Sequence, residues 1–67
     1  MYNQDLYLLE DINRLNEKYK SVFQLFYFED LKVAQISKIL NISESAVKTR
    51  LKRAREILKQ ILLEDDY

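Results

Sequence analysis

The sequence predicts an all-α chain: a compact four-helix domain that ends in a helix-turn-helix and lacks winged elements. Three observations carry that expectation. The 67 residues include no Gly and no Pro, the residues that most strongly interrupt helices. Apolar side chains recur at helical spacing in successive segments. Short polar breaks, at Asn16, at Glu29-Asp30 and at Asn41, separate those segments. No linker, low-complexity stretch or internal repeat divides the chain, so a single domain over residues 1–67 is expected.

The elements follow in order. A first helix is expected over about residues 5–14, with Leu8, Leu9, Ile12 and Leu15 recurring on one side. Asn16 suits an N-cap, and Glu17 then sits at the positive end of the next helix. That second helix spans about 17–28, with Tyr19, Val22, Phe23 and Phe26 as its stripe. Leu31 follows a tight turn and plugs the core. A third helix spans about 32–40 with Ile36, Ile39 and Leu40 inward, and its start at Lys32 lacks a Ser or Thr cap. Asn41 suits a left-handed helix end, because Asn tolerates that conformation better than other residues with a side chain. Ile42 is a buried turn residue. Ser43 caps a fourth helix over about 44–63, with Glu44 in its first turn.

Composition removes several functions. Without Cys there is no disulfide and no thiolate ligand, and without His the commonest general base and metal ligand is gone. Without Gly there is no Gly-rich phosphate loop. No apolar run reaches the ~18 residues a membrane span needs, and the N-terminus has no signal-peptide pattern. A cytoplasmic, soluble domain that is not an enzyme and needs no cofactor is expected. The acidic tail, Glu64-Asp65-Asp66, reads as solvated rather than as a metal site.

Charge is segregated although the formal net charge is zero. Residues 1–31 carry three cations and six anions (3 − 6 = −3), and residues 32–59 carry eight cations and two anions (8 − 2 = +6). The three tail acids return the sum to zero. Such asymmetry points to one basic face on an acidic body. It concentrates in "NISESAVKTRLKRAR", where no acid interrupts Lys48 to Arg55. At about 100° per residue, Val47, Leu51, Ala54, Leu58 and Leu62 share one side of the fourth helix. Ser45, Lys48, Thr49, Lys52 and Arg53 share the other, with Arg50 and Arg55 flanking the apolar stripe on opposite sides. An ordinary solvated face mixes signs at i, i+4; unrelieved repulsion is better explained by a polyanion partner.

Helix three, the Asn41-Ile42-Ser43 turn and helix four form a helix-turn-helix, whose second helix enters the major groove of double-stranded DNA. Ser45 and Ala46 allow close approach at its tip. Lys48, Lys52 and Arg53 reach bases or phosphates, and Thr49 offers a hydroxyl and a methyl.

The stretch "LNEKYKSVFQLFYFEDLKVAQISKILNISESAVKTRLKRAREIL" resembles region 4 of bacterial sigma-70-type factors, in particular the extracytoplasmic-function group. "VKTRLKRAR" is its most specific part, and the likeness covers about residues 8–62. The resemblance implies the C-terminal domain that reads the promoter −35 element in transcription initiation. It implies RNA polymerase core, through the flap of its beta subunit, and an anti-sigma factor as partners. Departures from the family pattern are Asn16 for Pro, Asp30 and Asn41 for Gly, and Gln35 for Glu. Phe26 stands where an Arg often meets the DNA backbone. Lys32 stands where a Ser or Thr cap is usual and offers a backbone contact of its own, alongside Arg50 and Arg55.

Two other functions fit the residues less well. A response-regulator effector domain shares the scaffold, but the "TRLKRAR" ending argues against it. A helical protein-interaction module would use Val47, Leu51, Ala54, Leu58 and Ile61 as a coiled-coil seam, unless those residues close the domain's own core. Tyr27 and Phe28 fall off the inward stripe of helix two and are candidate partner-binding residues. The acids Glu10, Asp11, Glu29 and Asp30 are candidates to steer a basic partner towards them.

Overall fold

The protein's architecture was obtained as a computed structural model, which describes residues 9–65. Among these residues the chain forms α1 (Leu9–Asn13), α2 (Glu17–Tyr27), α3 (Val33–Leu40) and α4 (Glu44–Asp65), with no strand. Each lies inside or within two residues of its expected span, and the expected part of helix one at residues 5–8 lies outside the described residues. The 22-residue α4 touches α1, α2 and α3 and forms the spine of the domain.

The boundaries of α2 and α3 have local causes. Asn16 is the N-cap of α2, with its side chain accepting a long bond of 3.5 Å from the Lys18 N–H. Asp30 adopts φ 59° in the turn after α2, which suits a short polar side chain. Lys32 precedes α3 without a side-chain cap, because an ammonium has no acceptor. Gln35 answers from the other direction: its Oε1 accepts the Lys32 N–H at 2.9 Å, the reciprocal half of a capping box. Asn41 ends α3 at φ 57°, ψ 47°, the left-handed cap its identity predicts.

The turn between α3 and α4 is clamped from both sides. The Ser37 hydroxyl donates to the Ile42 carbonyl at 2.6 Å, while the Ile42 N–H donates to the Ser37 carbonyl at 3.1 Å. Ser43 then caps α4, its Oγ accepting the Ala46 N–H at 3.0 Å. Replacing Ser43 with Ala is expected to cost about 0.5–2 kcal/mol of folding free energy. Chemical denaturation measures it, with Ser43→Thr as the control that keeps the cap. A loss within experimental error would show that this cap does not hold α4.

Two apolar clusters lie along the inner face of α4. In the first, Ala54, Leu58 and Ile61 close on Ile12, Leu15 and Phe23, with Tyr19, Tyr27 and Ile57 at its edge. In the second, Val47 and Leu51 close on Val22 and Ile36, and Leu31, Val33, Leu40 and Ile42 complete it. Two inward assignments are corrected. Ile39 is 59% exposed, because Val33, Ile36 and Leu40 define the buried stripe and Ile39 sits about 90° from its centre. On α4 the stripe continues through Ile61, which is buried, rather than Leu62, which is half-buried. Val47, Leu51, Ala54, Leu58 and Ile61 are thus consumed by the domain's own core, and they leave no coiled-coil seam for another chain.

Candidate nucleic-acid interface

Burial of one side of α4 dictates what its other side presents. Ser45, Lys48, Thr49, Lys52 and Arg53 are all exposed. They share one face, and Ser45 to Arg53 spans about 12 Å of axis, comparable to the width of a major groove. Lys48, Lys52 and Arg50 make no ion pair among the described residues. Arg53 differs: its Nη1 lies 3.3 Å from Glu56 Oε1, a pair with both side chains more than half exposed. Such a pair is worth at most about 1 kcal/mol, so a phosphate or guanine can displace it.

The two flanking arginines part company. Arg50 is half-buried and lines an open groove between α4 and the start of α2, with Lys18, Tyr19, Thr49, Lys52 and Arg53. Arg55, on the opposite flank, is exposed and donates from Nη1 to the Tyr27 hydroxyl at 2.9 Å. Lys32 stands exposed at the N-cap of α3.

Lys18 is a cation that the sequence did not single out. Its Nζ lies 5.2 Å from the centre of the Tyr19 ring, at the rim of the groove against α4. Its neighbour Lys20 is instead held by Glu17 at 3.4 Å. The pattern of α2 alone gives no sign of this difference, which depends on how α2 crosses α4. Glu56, in contrast, was legible as the first acid after the basic run, three residues beyond Arg53.

Phe28 ends α2 with 48% of its surface exposed, edge-on to Phe23 at a ring separation of 6.3 Å. Tyr27 behaves differently from the expectation that paired it with Phe28. Its ring packs against both clusters, 4.5 Å from Phe23 and 5.0 Å from Phe26, and its hydroxyl is engaged by Arg55. Asp11 is also unsuited to steering a partner: it is 7% exposed, with Arg14 4.0 Å away. No group of three or more metal-ligating side chains occurs among the described residues, and Asp66 of the acidic tail lies outside them.

An all-helical domain that buries one face of its last helix and turns a row of exposed cations and small hydroxyls outward is a helix-turn-helix domain with a basic second helix. The family model described as "Sigma-70, region 4" matches residues 5–58, and the chain belongs to that family. The chain is similar to the ECF RNA polymerase sigma factor SigW of Bacillus subtilis, 42% identical over 53 residues, covering 79% of this chain and 28% of that protein. It is also similar to the RNA polymerase sigma factor SigV of the same organism, 36% identical over 63 residues, covering 94% of this chain and 38% of that protein. A third relative, the RNA polymerase sigma factor SigZ, is 43% identical over 51 residues, covering 76% of this chain and 29% of that protein. The chain therefore spans between 28% and 38% of the length of these relatives. No solved structure matches the chain.

Proposed function

We propose that this chain reads the −35 element of promoter DNA as the region 4 domain of a cytoplasmic sigma factor, docked on bacterial RNA polymerase. The observation that carries the reading is the exposed face of α4, with Lys48, Thr49, Lys52 and Arg53 in one row and no acid from Lys48 to Arg55. In this reading Ser45 lets the tip approach the groove floor. Lys48, Thr49, Lys52 and Arg53 meet base edges. Lys32, Arg50 and Arg55 meet the backbone and set the register. Lys18 joins Arg50 from α2. The work is recognition and involves no covalent step.

Binding by the isolated chain is expected to be weak and salt-sensitive. Acids on α1, at the start of α2 and at the end of α4 oppose approach, and the dissociation constant should be micromolar or weaker at physiological salt. Each phosphate neutralised adds about 0.9 to the slope of log affinity against log salt, so four or five contacts give roughly −4. Fluorescence anisotropy of a −35 duplex and a scrambled duplex, titrated across salt, tests this. Tight, salt-independent binding or equal affinity for both duplexes would contradict the reading.

For the protein partner we propose a docking surface around Phe28, facing the polymerase flap or an anti-sigma factor. An exposed aromatic ring beside the exposed acids Glu29 and Asp30 supports it. Phe28→Ala should weaken polymerase binding several-fold in a pull-down while circular-dichroism helicity and DNA affinity stay unchanged. Loss of helicity would instead make Phe28 a core residue.

A further inference from the structure

We propose that Tyr27 is a positioning residue for Arg55, holding its guanidinium ready for a DNA phosphate. This rests on the DNA-binding reading given above and adds a residue from outside the helix-turn-helix to it. The bond joins α2 to α4 across 28 residues of sequence, from Arg55 Nη1 to the Tyr27 hydroxyl at 2.9 Å. Tyr27 is a firm anchor. Its ring lies against Phe23 at 4.5 Å and, edge-on, against Phe26 at 5.0 Å. It also packs against both apolar clusters, so the hydroxyl cannot swing away without disturbing the core.

The chemistry of the anchor matters. A phenol oxygen is a neutral acceptor, so it occupies one guanidinium N–H and leaves the full positive charge and the remaining donors for an anion. Arg53 shows the alternative, because its charge is opposed by the Glu56 carboxylate at 3.3 Å. An exposed arginine otherwise samples many rotamers, and ordering it on binding costs entropy. Arg55 is already held, on the flank of α4 next to the cationic face, and it makes no ion pair among the described residues. The bond thus organises a phosphate contact without weakening its electrostatics.

The competing role is mechanical, a staple between α2 and α4 with no part in binding. Tyr27→Phe keeps the ring and removes only the hydroxyl, and the two roles then differ in what changes: a staple lowers the melting temperature and leaves affinity alone, whereas a positioning residue lowers affinity. The full chain, Tyr27→Phe, Arg55→Ala and the double variant would be titrated against a mixed-sequence DNA duplex over a range of salt, with thermal unfolding of each. Tyr27→Phe should lower affinity about two- to tenfold, with helicity and melting temperature unchanged. Its salt slope should match that of the unaltered chain, since Arg55 still reaches the phosphate. Arg55→Ala should lose at least as much affinity and reduce the slope by about 0.9. The double variant should bind no worse than Arg55→Ala. Unchanged affinity in Tyr27→Phe, or an equal further loss when it is added to Arg55→Ala, overturns the proposal. Lys48→Ala and Arg53→Ala on the same duplex keep the outcomes apart. If they weaken binding and Arg55→Ala does not, this proposal alone falls; if none does, the DNA-binding reading falls with it.

Discussion

Phe23→Ala should lower the unfolding free energy of this domain by about 3–5 kcal/mol. Phe23 is 2% exposed and sits where α1, α2 and α4 meet, against Ile12, Leu15, Ala54 and Leu58. Its ring also supports Tyr27 at 4.5 Å and Phe28 at 6.3 Å. Truncation removes the transfer free energy of the ring and leaves a cavity that three helices cannot all close upon. A domain of this length has roughly 3–10 kcal/mol of stability in total, so the variant should be largely or wholly unfolded. Urea denaturation followed by circular dichroism measures the loss. A cost below about 1 kcal/mol would show that the cluster is not a closed core. The DNA face would then lose its support, because the register of α4 depends on which of its sides is buried.

Much of this arrangement was readable from residue identity. Asn41 predicted a left-handed helix end in a chain with no Gly, and it has one; a tight turn was expected at Asp30, but not its positive φ. Ser43 predicted a cap and provides one. The sorting of α4 into an apolar and a cationic side followed from helical periodicity, which a long helix obeys closely. The misreading of Ile39 arose where a short helix left the stripe ambiguous. In the eight residues of α3, Ile39 was as plausible an inward residue as Val33, and only packing against α4 separates them. Contacts between distant segments were not legible at all. Nothing in the pattern of α2 announces that Tyr27 meets Arg55 or that Lys18 lies beside α4. Those depend on crossing angles, which arise from the summed shape of both clusters rather than from any single residue.

Arg53→Ala and Lys48→Ala should each cost about 1–3 kcal/mol of binding to a −35 duplex if their side chains meet a guanine. Such a loss corresponds to between about five- and 150-fold in affinity, and it should be largest for the matched sequence. Both side chains are exposed on the outer face of α4, so their removal leaves the buried clusters untouched. Arg53 carries a second effect that Lys48 lacks. Its loss releases Glu56, now 3.3 Å from its guanidinium, as an unneutralised anion on the surface that faces DNA. Arg53→Ala should therefore be the more damaging of the two. Glu56→Gln should act in the opposite sense, freeing Arg53 and removing repulsion, and should tighten binding to matched and scrambled duplexes alike. Gel shifts with both duplexes measure all three variants at one salt concentration, since screening changes every charge contribution together. If Arg53→Ala and Lys48→Ala bind as well as the unaltered chain, the outer face of α4 does not enter the groove. If Glu56→Gln weakens binding, Glu56 is instead holding Arg53 in the geometry that DNA requires, and the Arg53–Glu56 pair belongs to the recognition surface rather than competing with it.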